Sequence, residues 1–503
     1  MRTFETLLIA VNLFSLVLSL RKQSKAAWLG MAGANLSVFL IHGLLEGFRY
    51  QMAFSYMLVF LFTFSALVKT NSKVKSGTPK ALKVMAVSLS LVLLAFTSLL
   101  AVALPVFALP EPTGSYDVGI QYFHLVDENR IDPFLDTSAQ KRELMVKVYY
   151  PAKEDDSKSF SSYFHNSPEL INSFVAFYGM PDFAFNHLNL VKTNSKDHLQ
   201  LSDQQPSYPV ILFSHGAGTT MEVQTSQSED LASHGYIVVN IDHTYVSAAT
   251  AFPDRIVSHH EATTNFNTPE PAEIITQIMA DDSSFVIDRL IEMNEGKIES
   301  IFKGKLDLEK IGAVGHSVGG AVAYNLAIND PRVKATVNLD GVVFLTPPEN
   351  FTDIAPFLML ANDKYHIQAI QSLAPLMKRF EDMDDVEQKI TIEIYGSEEA
   401  YHEAYSKAQQ NVIGLTEVLK SSGNLFTIAG SDHMKFTDIG LFIGIRPLRE
   451  LIGIGGTMDP ARCLEITKAV TLAFFDQHLK GEANDSLESL TQKYPELINV
   501  DLK

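Results

Sequence analysis

The sequence predicts a four-helix transmembrane region over residues 1–110, followed by an α/β domain over residues 111–503 whose mostly parallel sheet carries helices on both faces. Long apolar runs before residue 110 predict the first part, and short β-branched runs alternating with helical segments predict the second. The charge divides at the same place. Residues 1–110 hold ten Lys and Arg against two acids, net +8, whereas the remainder holds 30 basic and 56 acidic residues, net −26. The two parts therefore face different surroundings.

Four apolar runs fill most of the first part, at about Thr3–Leu20, Ala26–Leu45, Tyr50–Val68 and Val84–Leu109. Each run approaches or exceeds the ~20 residues that cross the hydrocarbon core of a bilayer. A cleaved signal peptide accounts for one such run but not for four in succession. Buried core helices are a weaker alternative, because runs this long and this apolar are rare inside soluble proteins. We therefore expect a multi-pass region with the lipid bilayer as its partner.

Loop charges predict how this region is oriented. The first loop carries Arg21, Lys22 and Lys25, the third carries five lysines between residues 69 and 83, and the second is balanced. The positive-inside rule places loops one and three in the cytoplasm. The N-terminus and everything after Leu109 then lie outside, so the expected location is the cell membrane with an extracytoplasmic α/β domain. His42 lies in the second predicted span, where an ionisable residue is a functional candidate, although its position near the outer end favours a neutral packed side chain.

The second part alternates strand-like and helix-like segments. The predicted strands are Leu144–Tyr150, Val210–Phe213, Tyr236–Asn240, Lys310–Val314, Ala335–Leu339, Phe357–Leu360 and Leu425–Ile428. The longest predicted helix, Ala272–Asn294, has its apolar residues largely on one face. Short, nearly continuous apolar strands separated by helices are typical of a parallel sheet that is covered on both sides.

Composition excludes several classes of function. Nucleic-acid binding needs basic patches, and the second part is strongly acidic. The single cysteine, Cys463, excludes an intramolecular disulfide, and no second cysteine supports it as a metal ligand or nucleophile.

One motif carries specific chemistry. Gly315-His316-Ser317-Val318-Gly319 reads G-x-S-x-G, with the predicted strand Lys310–Val314 before it and a helix-forming run, Gly320–Ala327, after it. This strand, sharp turn and helix are the setting of the nucleophile elbow of α/β-hydrolases, in which a strained turn lifts the serine hydroxyl above the sheet. We therefore interpret Ser317 as a nucleophile and predict an α/β-hydrolase fold.

A serine nucleophile needs a base, and the base needs an acid that fixes its tautomer. In this fold the order along the chain is serine, acid, histidine. His433 follows the last predicted core strand in a small polar loop and is the predicted base, since His366, His402 and His478 lie in helix-like stretches. Two candidates for the acid remain open, because Asp340 and Asp363 each follow a strand at its carboxyl end.

Two backbone N–H groups are needed to stabilise the oxyanion. Val318 follows the nucleophile at a helix N-terminus, and Ala217 lies in the His-Gly-x-Gly loop that follows an earlier strand. A metal site is the competing interpretation of this region, which also contains His215, His243, His259 and His260. These histidines show no spacing typical of metal ligands, so we expect neither a metal nor another cofactor.

The α/β domain resembles the platelet-activating factor acetylhydrolases of the plasma and type II kind, over most of residues 112–480. The likeness lies in Pro112-Thr113-Gly114, Val118-Gly119, Arg142-Glu143-Leu144, Tyr149-Tyr150-Pro151-Ala152, Phe213 to Gly218, Asp230 to Tyr236, Gly315 to Ala321, Asn338 to Gly341 and His433. The resemblance implies a calcium-independent serine lipase that removes short or oxidised acyl chains from phospholipids. It also implies Asp340, at the family's short spacing, as the acid, and Ala217 and Val318 as the oxyanion donors. Ala217 departs from the bulkier apolar residue expected there, and the four predicted spans have no counterpart in the animal enzymes.

These observations together predict a membrane-anchored serine hydrolase that cleaves esters, with phospholipids as the expected class, through an acyl-enzyme formed on Ser317 with Asp340 and His433. A general carboxylesterase and an acyltransferase are the alternatives within the same chemistry. A catalytically silent membrane receptor or scaffold is the alternative of a different class, because fold alone does not fix function.

Overall fold

The structure, a computed structural model, describes residues 1–71, 79–135, 140–165, 167–263, 269–345, 354–362, 364–421, 423–482 and 485–502. The chain forms two compact units. The first comprises Met1–Ala108, Gly179–Val191 and Leu441–Ile452, and the second comprises Leu109–Tyr178, Lys192–Gly440 and Gly453–Lys503. Two segments from later in the chain therefore belong to the N-terminal unit.

The elements follow one another along the chain as two sets. The helices are α1 (Thr3–Ser19), α2 (Lys25–Leu45), α3 (Ala53–Asn71), α4 (Lys80–Ala103), α5 (Pro168–Phe177), α6 (Asp182–Phe185), α7 (Thr225–Ser233), α8 (Pro269–Glu295), α9 (Val318–Asn329), α10 (Tyr365–Ser372), α11 (Asp385–Tyr395), α12 (Glu398–Ser421), α13 (Arg446–Leu451), α14 (Pro460–Phe475) and α15 (Leu487–Lys493). The strands are β1 (Asp117–Ile131), β2 (Lys141–Ala152), β3 (Phe160–Ser162), β4 (Lys192–Asp197), β5 (Tyr208–Ser214), β6 (Ile237–Asp242), β7 (Ala249–Ala251), β8 (Ile256–Ser258), β9 (Leu306–His316), β10 (Val333–Leu339), β11 (Phe357–Asn362), β12 (Gly423–Ile428) and β13 (Leu497–Asn499).

Among the described residues of the N-terminal unit, three helices are long and apolar enough to cross a membrane: Lys25–Leu45, Tyr50–Thr70 and Lys80–Ala103. The first predicted span forms the shorter apolar helix α1, of 17 residues. The fourth predicted span is shorter than expected, because α4 ends at Ala103 rather than at Leu109. Pro105 disfavours a helical backbone at the residue before it, and Leu104 accordingly leaves the helix with ψ 76°.

In this unit polar side chains are buried and large apolar side chains are exposed, which is the reverse of a water-soluble helix bundle. On α1, Glu5 and Asn12 are fully buried, whereas Phe14 is 64% exposed. Asn12 donates to the hydroxyl of Ser55 at 2.7 Å, and buried His42 on α2 contacts the hydroxyl of Tyr56 at 2.8 Å. The polar side chains of these helices therefore find their partners inside the unit, and apolar side chains cover its outside.

The two later segments are tied to the same unit by backbone and ring contacts. The backbone N–H of Gly444 donates to the carbonyl of Ala103 at 2.8 Å, and the rings of Phe107 and Phe442 stack with their centroids 5.2 Å apart. In the other segment, the carbonyl of Ala184 accepts from the side-chain amide of Gln51 at 2.7 Å.

The second unit is built on an 11-stranded sheet of order β13-β12-β11-β10-β9-β5-β6-β2-β1-β4-β3. The six neighbours from β12 to β6 are mutually parallel. The flanking pairs β6–β2, β2–β1 and β12–β13 are antiparallel. The sheet is thus mostly parallel and mixed at its edges.

Helices cover both faces of this sheet. Val210 and Leu212 of β5 pack in one core with Val322 of α9 and Met279 of α8, whereas the alternate residue Ile211 packs in a second core with α7 and α14. This alternation follows from the period of two along a strand, and the carboxyl ends of the parallel strands meet at one edge, where the candidate site is built.

The predicted parallel sheet with helices on both faces is confirmed, and the predicted strands coincide with β2, β5, β6, β9, β10, β11 and β12. The strands β1, β3, β4, β7, β8 and β13 are not predicted by the sequence. In β1 polar residues interrupt the apolar ones, and several of them are exposed, so the sequence there has no continuous apolar run.

Candidate active site

Ser317 occupies the sharp turn between β9 and α9. Its backbone has φ 57° and ψ −125°, a strained conformation for a residue with a side chain. The turn closes only with glycine on either side. A Cβ added to Gly315 would lie 2.0 Å from the carbonyl oxygen of Gly319, and one added to Gly319 would lie 2.2 Å from that of Ser214. This is the geometry of a nucleophile elbow.

Asp340 lies directly beyond β10, the strand that neighbours β9 in the sheet. Its carboxylate is fully buried. The Nδ1 of His433 donates to Oδ2 of Asp340 at 2.7 Å. The backbone N–H of Asn362 donates to Oδ1 at 2.7 Å, and its side-chain amide donates to Oδ2 at 2.7 Å.

These partners decide the charge of the acid. Burial alone would raise the pKa of Asp340. The hydrogen bond from His433, together with the electrostatic effect of the nearby imidazoles of His366 and His433, holds that pKa below its usual value. An ionised carboxylate only accepts hydrogen bonds. His433 therefore carries its proton on Nδ1, and Nε2 is the nitrogen that can act as a base.

His433 is the first residue of a 3-10 turn, His433–Phe436, after β12. Its backbone carbonyl accepts a hydrogen bond from Nε2 of His316, at 2.8 Å, and the two imidazole rings lie 4.5 Å apart. Burial, followed by the proximity of His433, lowers the pKa of His316 to about 3. His316 thus stays neutral and ties the loop of the base to the residue that precedes Ser317.

The loop after β5 lies against the elbow. A Cβ added to Gly216 would lie 3.0 Å from the Cβ of Ser317, so the neighbouring Ala217 is close to the nucleophile. In the described part of the chain, the backbone N–H of Ala217 has no protein acceptor. The N–H of Val318 belongs to the first turn of α9, where helix N–H groups lack intrahelical partners. Both groups can therefore donate to an oxyanion.

A buried chain of polar side chains holds the start of this loop. Asp282 contacts Nδ1 of His243 at 3.0 Å, and Nε2 of His243 contacts the hydroxyl of Ser214 at 3.1 Å. The backbone N–H of His243 donates to Nε2 of His215 at 3.0 Å. Burial and the neighbouring His243 lower the pKa of His215 to about 3, so that ring is neutral and accepts this bond.

Arg142 binds Asp282, the member of this hydrogen-bonded series that is farthest from the loop. Its guanidinium donates to both carboxylate oxygens of Asp282, at 3.1 and 2.7 Å, and to Asp132 at 3.0 Å. Burial would raise the pKa of Asp282, but Arg142 and His243 hold it far below its usual value. The carboxylate is therefore ionised and fixed in place.

The structure brings together Ser317, Asp340, His433, Ala217 and Val318, all predicted as site residues. Asp363, the other candidate acid, lies outside the described residues. Sequence reasoning did not find the supporting groups His316, Asn362, His243 and Asp282. Of these, Asn362 follows the predicted strand Phe357–Leu360 by two residues, but no local pattern marks it as a partner of Asp340.

Comparison with known proteins points to one family. The family described as platelet-activating factor acetylhydrolase, isoform II, matches residues 103–292 and 273–496. The chain is 23% identical over 415 residues to a probable 1-alkyl-2-acetylglycerophosphocholine esterase of Arthroderma benhamiae, covering 78% of this chain and 94% of the relative. It is 22% identical over 371 residues to a platelet-activating factor acetylhydrolase of Cavia porcellus, covering 69% and 75%. A solved structure, the ferulic acid esterase from Streptomyces cinnamoneus, matches with TM-score 0.57 and 26% identity over 79% of this chain and 100% of its own.

Proposed function

Because the chain belongs to the platelet-activating factor acetylhydrolase isoform II family and is a carboxylic ester hydrolase, we propose that it is a membrane-anchored serine hydrolase that works through an acyl-enzyme. The observation that carries the proposal is the 2.7 Å bond between His433 and Asp340 beside a serine held in a strained elbow. The substrates are esters, and the favoured class is phospholipids with short or oxidised acyl groups.

In the proposed mechanism Nε2 of His433 takes the proton of Ser317 as the hydroxyl attacks the ester carbonyl. Asp340 fixes the tautomer of His433 and stabilises its protonated form. The N–H groups of Ala217 and Val318 donate to the oxyanion, whose charge develops in the transition state. His433 then protonates the leaving alcohol, and a water activated by the same histidine releases the acid from Ser317.

The phospholipid assignment is supported by the names of the relatives, which include a probable 1-alkyl-2-acetylglycerophosphocholine esterase and platelet-activating factor acetylhydrolases. A general carboxylesterase is the second candidate, because the similar solved structure is a ferulic acid esterase. An acyltransferase needs an alcohol in place of water at the deacylation step and uses the same residues.

The proposal is tested with a fluorophosphonate probe, which forms a covalent adduct with an activated serine. Ser317→Ala should abolish both labelling and ester hydrolysis, whereas exposed Ser157→Ala, the matched control, should keep both. Labelling and hydrolysis that persist in Ser317→Ala would refute Ser317 as the nucleophile.

A substrate panel separates the two candidate functions. We expect a phospholipid with an acetyl group at its central position to be cleaved with a higher kcat/KM than an aryl acetate of matched reactivity. A preference of tenfold or more for the aryl ester would favour the general carboxylesterase instead.

Membrane anchoring is supported by the inverted burial of the N-terminal unit. Intramembrane polar residues face the interior of a helix bundle, as Glu5, Asn12 and His42 do here. Contiguous exposed apolar surface on the outside of such a bundle is the kind of surface that lipid covers. We include α1 as a fourth span, because its 17 residues equal the lower limit of about 17 for crossing a bilayer. The charges of the loops support an orientation in which the N-terminus and the hydrolase lie outside the cytoplasm.

A further inference from the structure

The four residues Gly216, Ala217, Gly218 and Thr219 form a tight turn after β5. The backbone N–H of Thr219 donates to the carbonyl oxygen of Gly216 at 3.1 Å, which is the bond that joins the first and fourth residues of a β-turn. Gly218, the third residue, has φ 69°, a backbone conformation that favours glycine. Ala217, the proposed oxyanion donor, is therefore the second residue of a closed turn.

Three hydrogen bonds converge on one carbonyl oxygen of this turn. Besides its backbone N–H, the hydroxyl of Thr219 donates to the carbonyl oxygen of Gly216, at 2.7 Å. Nε2 of His215 accepts from the backbone of His243, so Nδ1 of His215 carries the proton and donates to the same oxygen of Gly216 at 2.8 Å. A carbonyl oxygen has two lone pairs, so this oxygen is fully occupied and its direction is fixed.

The planarity of the peptide group transmits this direction to Ala217. The carbonyl of Gly216 and the N–H of Ala217 belong to one planar trans peptide, in which the C=O and N–H bonds point in opposite directions. Because the carbonyl oxygen is directed toward Thr219, inside the turn, the N–H of Ala217 is directed out of the turn. In the described part of the chain no protein group accepts it.

The same bonds change the strength of the donor. Hydrogen bonds to the oxygen of a peptide polarise the whole group, and bonds in a chain strengthen one another cooperatively. The N–H of Ala217 is therefore polarised as well as oriented before a substrate arrives. Donors that are already in place where negative charge develops need no reorganisation in the transition state.

The side chain of Thr219 has no other polar partner among the described residues. Thr219 is 2% exposed, and the bond to Gly216 is the one that its hydroxyl makes there. The backbone of Thr219 is held separately, because its carbonyl accepts from the N–H of Ala248 at 2.8 Å and from the hydroxyl of Ser247 at 3.1 Å. Removal of the hydroxyl alone should therefore leave the backbone of Thr219 in place.

We propose that Thr219 is a positioning residue for ester hydrolysis. Its hydroxyl orients and polarises the peptide between Gly216 and Ala217, so that the N–H of Ala217 donates to the oxyanion. This inference rests on the proposed function and adds to it a side chain that acts through the backbone of Ala217 rather than on the substrate.

The test uses the full chain in detergent micelles with p-nitrophenyl acetate as the substrate. Thr219→Val keeps a side chain of similar shape and removes the hydroxyl, whereas Thr219→Ser keeps the hydroxyl. Loss of a direct oxyanion donor costs about 100- to 1000-fold in kcat, and an indirect contribution is smaller. We expect kcat of Thr219→Val to fall roughly 10-fold with KM changed less than twofold, because the oxyanion exists only beyond the ground state. Thr219→Ser should keep kcat within threefold of the wild type.

A transition-state analogue provides a readout that does not depend on the amount of active protein. A trifluoromethyl ketone adds reversibly to a serine nucleophile and presents an oxyanion to the two N–H groups. Its inhibition constant should rise in Thr219→Val by about the factor by which kcat falls, and should stay unchanged in Thr219→Ser. A smaller active fraction would lower kcat without raising the inhibition constant. Circular dichroism and the thermal midpoint report whether each variant folds.

Tyr178→Phe is the matched control, because it removes a hydroxyl bond from the neighbouring peptide of the same turn. The hydroxyl of Tyr178 donates to the carbonyl oxygen of Gly218 at 3.0 Å, and that oxygen does not share a peptide group with the N–H of Ala217. We expect kcat and the inhibition constant of this variant to stay within threefold of the wild type.

The outcomes separate this inference from the proposed function. Wild-type kcat in a folded Thr219→Val, a loss of kcat without a rise in the inhibition constant, or an equal loss in Thr219→Ser would overturn the role of the hydroxyl and leave the esterase intact. Equal losses in Thr219→Val and Tyr178→Phe would assign the effect to the rigidity of the whole turn and overturn it as well. No hydrolysis that depends on Ser317 in the wild type would refute the proposed function itself.

Discussion

Two buried carboxylates of the hydrolase unit, Asp340 and Asp438, have pKa values that are shifted in opposite directions. Asp340 receives three hydrogen bonds, from His433 and twice from Asn362, and its pKa lies below the usual value. Asp438 accepts from the hydroxyl and the backbone N–H of Ser226 and from the hydroxyl of Tyr163, the last at 3.1 Å. Burial therefore dominates and raises the pKa of Asp438 to about 7.

The raised pKa of Asp438 predicts a pH-dependent stability. The folded chain holds this proton up to about pH 7, whereas an unfolded aspartate releases it near pH 3.9. Between these values the folded state binds more protons, so the free energy of unfolding falls as the pH rises from about 4 to about 7 and is constant above. The limit is on the order of 4 kcal/mol at 1.36 kcal/mol per unit.

Asp438→Asn removes this contribution and isolates it from the other acids. We expect the thermal midpoint of the variant to exceed that of the wild type by an amount that grows from pH 5 to about pH 7 and is constant above, because an amide has no charge to bury. Differential scanning fluorimetry from pH 5 to 8 measures it. A difference between the two proteins that does not vary with pH would contradict the prediction.

Sequence reasoning singled out the candidate catalytic residues but not the groups that hold them. Ser317 and His433 stand out because a strained turn and a loop after the last core strand leave local signatures. The acid remained open between Asp340 and Asp363 on topology alone. Asn362 and His316 act through contacts between strands that are adjacent only in space, so no local pattern marks them.

At the scale of elements, the loop after β5 depends on two neighbours in different parts of the sequence. Ser214 at the end of β5 contacts His243, which directly follows β6, and His243 contacts Asp282 on α8. Arg142 at the start of β2 fixes Asp282. Four elements thus determine where the N–H of Ala217 points.

His243→Leu tests this arrangement. We expect kcat for p-nitrophenyl acetate to fall roughly 10- to 100-fold with KM changed less than threefold, because a misaligned oxyanion donor acts on the transition state. Circular dichroism and the thermal midpoint report whether the fold is retained. His402→Leu, on the exposed surface of α12, should leave kcat unchanged.

A folded His243→Leu protein with wild-type kcat would show that the loop is held without this chain of contacts. The sequence singled out His243 only as a possible metal ligand, because clusters of histidines suggest coordination. The hydrogen bond between His243 and Asp282 could not be predicted from the sequence. The helix that carries Asp282 packs on the sheet through its apolar face, and this pattern does not show which of its polar residues are buried.

At the scale of the whole molecule, the N-terminal unit inverts the usual distribution of polarity. The long apolar runs of the sequence predict four spans in this unit; among the described residues three helices are long and apolar enough to cross a membrane, and α1 is shorter. The sequence does not reveal that residues 179–191 and 441–452 belong to the same unit, since short segments far apart in the chain carry no mark of a shared partner.

The proposed orientation is tested by thiol labelling of intact cells. The only native cysteine, Cys463, is fully buried, and burial raises its pKa to about 12, so it gives little background. We expect an impermeant maleimide to label Asp203→Cys, on the surface of the hydrolase unit, without permeabilisation. Gln23→Cys, in the first loop, should be labelled only after permeabilisation. The reverse pattern would contradict the orientation.

The interleaving of the two units limits how the enzyme can be dissected. A single cut after Ala108 severs the four N-terminal helices from the hydrolase sequence, yet the released fragment would still carry 179–191 and 441–452. Gly444 and Phe442 would then lose the backbone and ring partners that Ala103 and Phe107 provide. Cleavage there should therefore yield an aggregation-prone fragment, and grafting the proposed anchor onto another hydrolase requires the transfer of both segments with it.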